Sequence, residues 1–391
     1  MSNIQTNFIL GEAGTAKTTS IINAIVNLND FICLAYTHSA VNNLYTKYIK
    51  HPNHNENFVD NFKTIHSYFK INIDKYGQEI FRLNQNLDLP TYIFIDELSL
   101  IPLHIIEFIY TILNNNSSVL SDKKIILTFV GDLLQLNPIN IEKHLIDINN
   151  FKILENFESN FQESLLIANH LSNNIFSTKH YRNGNKMILS KNFRSNDNVI
   201  KILNDVLNDI NNINNHRIKL KNIDKYIKEK YTILSSKYEF LEYIYSTLDV
   251  QKTFKLKTLI GELYYDNNDK LLLTSNLNEH FTNGDIVIIK HETDDIIKIY
   301  KNEFEYTFEA DLKKYPLLPL NMLTIHKAQG LTLKRVIVVL DDLFEITMLY
   351  TAITRASKNV RFLLLSKQNI SQLKIYNQSF IKLRDIIYMN V

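Results

Sequence analysis

Gly11-Glu12-Ala13-Gly14-Thr15-Ala16-Lys17-Thr18 follows the apolar run Phe8-Ile9-Leu10 and leads into Thr19-Ser20-Ile21-Ile22 at helical spacing. That is a strand, a glycine-bearing turn and a helix start. Such a turn aims backbone N–H groups and a helix N-terminus at one point, which suits a polyphosphate. Lys17 would reach the β- and γ-phosphates, and the Thr18 hydroxyl would ligate Mg²⁺. Ala16 stands where the pattern G-x-x-x-x-G-K-[ST] has its second glycine. Its methyl fits if the residue keeps a backbone conformation that alanine tolerates.

Ile95-Asp96-Glu97 closes a second apolar run, which places two acids at a strand end where open α/β sheets bind ligands. Asp96 is positioned to hold Mg²⁺ and Glu97 to activate a water. Gln135, in Gly131-Asp132-Leu133-Leu134-Gln135, follows the next strand and could sense the γ-phosphate or orient that water. Arg355, in Tyr350-Thr351-Ala352-Ile353-Thr354-Arg355-Ala356, is a candidate arginine finger, and Arg194 in Asn192-Phe193-Arg194 is a second. Thr324-Ile325-His326-Lys327-Ala328-Gln329-Gly330 combines phosphate-binding donors with a sharp turn, as a nucleic-acid contact loop would.

The elements that must position these residues alternate. Phe31 to Tyr36, Tyr92 to Asp96 and Ile125 to Val130 are nearly continuous apolar runs with helical stretches between them. Strands buried on both faces of a doubly wound parallel sheet read this way. Residues 51–57 are polar and rich in breakers, and residues 140–190 turn helical and rich in asparagine. A second α/β set closes the chain, with strands at Arg335 to Leu340 and Val360 to Leu365 around a helix through Glu345 to Ala356. Between the halves, roughly 230–320, short alternating runs such as Lys270 to Thr274 and Asp285 to Ile289 imply a β-rich module, with a hairpin signal at Asn283-Gly284. No internal repeat is evident.

At 391 residues, 45% hydrophobic and 21% charged, the chain has material for two globular domains. A net charge of +2 requires any nucleic-acid grip to be local. The single cysteine, Cys33, excludes disulfides within the chain and cysteine-built zinc sites, and suits a reducing compartment. No apolar run approaches the roughly 20 residues of a membrane span, and the first residues lack the basic and apolar regions of a signal peptide. Heavy use of Asn, Ile, Lys and Tyr reads as the codon bias of an AT-rich genome.

In this order the segments resemble superfamily 1 helicases, specifically the Pif1, Dda and RecD branch. Gly11–Thr18 resembles motif I, Ala35 to Ala40 motif Ia, and Lys63-Thr64-Ile65-His66 the Thr-Ile-His element. Asp96-Glu97-Leu98-Ser99-Leu100 resembles motif II with Leu100 for a methionine. Gly131-Asp132 with Gln135-Leu136-Asn137-Pro138 resembles motif III with Asn137 for a proline. Asn192-Phe193-Arg194 resembles motif IV, Thr324–Gly330 motif V and Tyr350–Ala356 motif VI. Thr274-Ser275-Asn276 with Asn283-Gly284-Asp285 resembles the SH3-like 2B insertion. The upstream glutamine element that reads adenine in relatives is missing or reduced to Gln5.

The resemblance implies two RecA-like parallel-sheet domains. Residues 1–185 would form the first, with a small insertion at about 50–90, and 186–391 the second, carrying the β-rich module. ATP with Mg²⁺ would lie in a cleft between them, on Gly11, Glu12, Ala13, Gly14, Thr15, Ala16, Lys17, Thr18 and Thr19, with Gly330. Lys17, Glu97, Gln135, Arg194 and Arg355 would be catalytic, the two arginines acting from the second domain, and Thr18 and Asp96 would hold the metal. Thr37, His38, His66, Ser99, Thr324 and His326 would face single-stranded DNA. The implied activity is ATP-dependent 5′→3′ translocation and unwinding in replication, recombination or repair, by an intracellular protein that is monomeric on DNA. Two rivals stand beside it: a viral-type superfamily 1 RNA helicase, and a nucleotide-gated binding module with weak turnover.

Overall fold

The computed structural model describes residues 4–74, 79–82, 87–117, 123–138, 161–172, 175–278, 280–293, 296–308, 314–343, 345–366 and 371–388. Its contacts divide the chain into two compact units. One comprises Met1–Arg194, Glu345–Thr347 and Lys374–Val391; the other comprises Ser195–Phe344 and Met348–Leu373. The expected boundary at 185/186 therefore moves to 194/195, because the strand Asn185–Leu189 pairs with the first strand of the chain. The end of the chain also returns to the first unit.

In the first unit the strands are β1 Ile4–Gly11, β2 Phe31–Ala35, β3 Phe62–Thr64, the short pair β4 Asn72–Ile73 and β5 Glu79–Ile80, β6 Tyr92–Asp96, β7 Ile125–Gly131 and β8 Asn185–Leu189. Six of them form one sheet in the order β3-β2-β6-β7-β1-β8, with parallel pairing throughout. The helices are α1 Lys17–Ile25, α2 His38–Ile49, α3 Ile65–Tyr68, α4 Leu103–Ser117, α5 Phe161–Ser172 and α6 Lys179–Asn183. β2 is buried at every position, as its unbroken apolar run requires. Ile21, Ile22 and Ile25 of α1 and Val41, Leu44 and Tyr48 of α2 pack with Phe31, Cys33 and Ala35 of β2. These recur at helical spacing, one stripe per helix against the sheet. The polar stretch 51–57 leads into a 3₁₀ segment at Glu56–Asn61, and the antiparallel β4–β5 pair falls within the insertion expected at 50–90. Of the asparagine-rich stretch, residues 139–160 lie outside the described residues.

The second unit adds α7 Asp197–Asn208, β9 Arg217–Ile218, α8 Ile223–Lys228, β10 Thr232–Ser235, α9 Tyr238–Ser246, β11 Phe254–Thr258, β12 Gly261–Tyr265, β13 Lys270–Leu273, β14 Ile286–Thr293, β15 Ile296–Lys301, β16 Phe304–Phe308 and β17 Leu317–Pro319. It closes with β18 Met322–Thr324, α10 Ile325–Ala328, β19 Leu333–Val339, α11 Met348–Ile353, β20 Ala356–Leu363 and the start of α12 Ser371–Tyr388. A parallel sheet runs β18-β10-β19-β20-β9. A separate antiparallel sheet runs β16-β15-β14-β13-β17. Because β10 lies inside the parallel sheet, the β-rich module starts at Phe254 rather than near 230. β13 and β14 do pair, but the chain from Thr274 to Asp285 joins them, so Asn283-Gly284 is not a two-residue hairpin. Gly284 sits at φ +97° and its N–H closes onto Leu273 O.

A P-loop and carboxylate site on the first sheet

Parallel pairing brings every strand's carboxyl end to one edge. At that edge of the first sheet stand Gly11, Ala35, Thr64, Asp96, Gly131 and Leu189, each the last residue of its strand. The segments singled out in the sequence begin at these residues, and sheet order decides which are neighbours. β1 lies between β7 and β8, so the Gly11 loop meets both Asp132 and the chain beyond Leu189.

The loop is built as its sequence requires at Gly14, where φ is +86° and an added Cβ would lie 2.7 Å from Asn192 Oδ1. Ala16 is the N-cap of α1 at φ 62°, ψ 24°, without a side-chain cap bond. It therefore occupies the left-handed basin that glycine favours, not an ordinary alanine conformation. That strain costs about 1–2 kcal/mol. Glu97 shares it, at φ 55°, ψ 49°. Two non-glycine residues held in this basin, both among the proposed site residues, are a local cost that the surrounding packing imposes.

Lys17 is half-buried, and its Nζ donates to Gly11 O at 2.7 Å and Glu12 O at 2.9 Å. Burial lowers its pKa, while Asp132 most strongly, then Glu97 and Asp96, favour its charged form. Asp96 is 3% exposed. Burial first, then the Glu97 charge, pushes its carboxyl up to about 6. Thr18 Oγ1 donates to Asp96 Oδ2 at 3.0 Å, and the Glu97 N–H donates to Asp96 Oδ1 at 2.9 Å. A hydroxyl and a carboxylate sharing one point is the donor set of a Mg²⁺ site beside phosphates. Gln135 is 4% exposed. Its Nε2 donates to Asp132 Oδ2 at 3.1 Å, while its Oε1 is buried without a partner among the described residues. An orphaned acceptor on the amide that bonds Asp132 fits a bound water next to a nucleotide phosphate.

Three placements differ from expectation. Arg194 belongs to the first unit, not the second. Its N–H bonds to Asn192 Oδ1 at 2.9 Å, and its charge acts on Lys17. Asn192 Nδ2 donates to Ala13 O at 3.1 Å and the Phe193 N–H to Gly14 O at 2.7 Å, so this segment is sewn to the loop. Ser99 is 2% exposed, where a hydroxyl facing solvent was expected. Thr324 is also buried and caps α10 by accepting from the Lys327 N–H at 3.3 Å. Arg355, in the second unit, is 1% exposed, with Nε donating to Thr351 O at 3.2 Å. It precedes β20, at the amino edge of its sheet, whereas Thr324 and His326 lie at the carboxyl edge. Gly330 closes the α10 turn at φ +81°.

Thr64 and Thr324 hold a correspondence that the sequence reading missed. Thr64 ends β3 at φ −73°, ψ 153° and accepts from the Ser67 N–H; Thr324 ends β18 at φ −72°, ψ 154° and accepts from the Lys327 N–H. Each Thr-Ile-His therefore caps a short helix after a parallel strand at the end of its sheet's order, one in each unit. Two identical tripeptides were the available signal. His66 bonds Glu79 at 2.8 Å, with the Tyr36 ring 5.3 Å away, and His38 is exposed beside the α2 cap Thr37. Asn137, at the usual proline position, donates to His170 O at 3.0 Å, and His170 Nε2 bonds Leu133 O at 2.8 Å. Burial lowers the His170 pKa, so a neutral ring braces the Gln135 loop.

Residues 2–140 match the family model described as an AAA domain, and residues 319–363 match the UvrD-like helicase C-terminal domain. No curated protein matches the chain. Among solved structures, Bacteroides Pif1 bound to ssDNA aligns with a TM-score of 0.55 at 20% identity, over 92% of this chain and 88% of that one. Pif1 from Bacteroides in complex with ADP-AlF3 and ssDNA aligns at 0.56 and 19% identity, over 97% and 94%. Pif1 from Candida albicans aligns at 0.50 and 15% identity, over 97% and 96%. At these identities the likeness is one of fold. An AAA domain model thus matches one end of the chain and a UvrD-like helicase C-terminal domain model the other, and the fold is similar to that of the Pif1 structures over nearly its whole length.

Proposed function

We propose that this chain is an ATP-hydrolysing DNA helicase that moves 5′→3′ on single-stranded DNA, with the β-rich module as its SH3-like 2B insertion. The observation that carries the hydrolytic part is Lys17 Nζ held on the loop carbonyls of Gly11 and Glu12 beside the Thr18–Asp96 pair, with Gln135 Oε1 left without a partner among the described residues. ATP with Mg²⁺ supplies the phosphoanhydride to be cleaved. Lys17 and the loop N–H groups receive the phosphate charge, and Thr18 with Asp96 would hold the metal. Glu97 takes a proton from the attacking water, and Gln135 Oε1 orients that water. Arg355 remains the proposed finger. Arg194 supports the loop from its place in the first unit, so its effect is expected on nucleotide binding as well as turnover.

The Bacteroides Pif1 structures with ssDNA support a single-stranded DNA substrate. The deciding measurement is ATP turnover with and without single-stranded DNA or RNA. Glu97→Gln should keep ATP binding while lowering turnover by orders of magnitude, and Arg355→Ala should lower it by about 10³-fold. Wild-type turnover no higher than that of Glu97→Gln would favour the nucleotide-gated binding module, for which the strained Ala16 is the specific argument. Stimulation by RNA alone would favour the RNA helicase.

A further inference from the structure

α12 reaches the proposed nucleotide site at two points. From Lys374 onward this helix belongs to the first unit. Phe380, Leu383, Ile386 and Ile387 are buried, an apolar stripe at helical spacing that seats it. Arg384 and Tyr388 stand one turn apart on the same helix. Arg384 Nε donates to Glu12 Oε1 at 2.6 Å, inside the phosphate loop, and the Tyr388 hydroxyl donates to Asp132 Oδ1 at 3.0 Å.

The two contacts differ in weight. Arg384 and Glu12 are both substantially exposed, so water screens their pairing. Asp132 is 1% exposed, and each of its bonds is made out of water. Its Oδ1 accepts from the Leu134 N–H at 3.0 Å as well as from Tyr388, and its Oδ2 accepts from Gln135 Nε2. A carboxylate held at both oxygens has a fixed plane. That plane decides which way the Gln135 amide turns, and hence where its Oε1, without a partner among the described residues, points.

We propose that α12 is a positioning element of the hydrolytic site. Tyr388 acts through Asp132 on Gln135, and Arg384 acts on the phosphate loop through Glu12. This rests on the ATP-hydrolysing reading above. Tyr388 is a positioning residue, acting through the Asp132 carboxylate.

The full-length chain tests it. Tyr388→Phe keeps the ring in place and removes only the hydroxyl. It should lower kcat roughly ten-fold, the order of one buried hydrogen bond to a charged group, and leave KM for ATP within about two-fold. In a Gln135→Ala background the same change should cost nothing further, because the group through which Tyr388 acts is gone. In the nucleotide-free protein, amide exchange at Leu134, Gln135 and Leu136 should quicken about five-fold or more in Tyr388→Phe. Equal losses in both backgrounds, an unchanged kcat, or unchanged exchange would each overturn the proposal. A wild type without turnover would sink the hydrolytic reading alone, and amide exchange would then decide whether α12 braces this loop.

Discussion

Ala16 and Asp96 are the residues at which the site departs most from comfortable chemistry. A left-handed alanine carries strain that glycine does not, while glycine has more unfolded-state entropy to lose. Ala16→Gly should therefore leave stability within about 1 kcal/mol of wild type with turnover kept or raised. Ala16→Val, with a branched Cβ at φ 62°, should cost more than about 1–2 kcal/mol. Denaturant melts that ranked valine equal to alanine would refute the left-handed loop. Asp96, with its carboxyl pushed up to about 6, binds a proton more readily folded than unfolded. Stability should therefore fall as pH rises from about 4 to about 6, the reverse of an ion-paired carboxylate. Asp96→Asn should stabilise the protein at neutral pH by up to about 3 kcal/mol while abolishing Mg²⁺-dependent turnover.

Thr64 and Thr324 make an element-scale prediction, because each terminates a strand and starts a helix with one hydroxyl. Removing either cap should cost about 1 kcal/mol, since one helix N–H loses its acceptor. Both caps have the same geometry, so the two losses should be similar, and thermal unfolding measures them. Thr324→Ser should restore the lost stability, as serine offers the same oxygen. DNA affinity that fell in Thr324→Ala and did not recover in Thr324→Ser would show that the threonine methyl, not the cap, makes the contact. His326→Ala should instead lower single-strand affinity with little change in melting, because His326 is only half-buried and follows the cap. At this scale the sequence singles out both tripeptides but not the cap that each threonine makes. A threonine beside a histidine reads as two donors for phosphate, and only the folded backbone shows that one of them is spent on the helix.

The whole molecule has a net charge of +2 and two parallel sheets, each presenting a Thr-Ile-His turn at a carboxyl edge. Strand binding should come from those edges and weaken with salt at a slope set by the few phosphates contacted. Direction belongs to this scale, since it depends on the order in which two grips tighten and release rather than on any residue. A duplex with a 5′ single-stranded tail should be unwound and one with only a 3′ tail should not. Preferential unwinding of the 3′-tailed duplex would reject the direction proposed here and leave the hydrolytic site untouched.

The sequence by itself determined the parts of this protein whose physics is local. A glycine-bearing turn between strand and helix, acids ending a buried strand, and apolar runs of strand length dictate a strand–turn–helix loop, two acids at a sheet edge and parallel sheets. All of these lie where the residues placed them. Tertiary structure decided whatever depends on pairing between distant segments. β8 joins β1, which carries Arg194 into the first unit and ties Asn192 to the phosphate loop. The chain's last helix comes back to Glu12 and Asp132 across more than half of the sequence, and β10 leaves the β-rich stretch for the parallel sheet. No local propensity encodes these partners. They follow from which exposed strand edge and which apolar stripe remained to be covered once the nearer elements had packed, a competition that periodicity does not record.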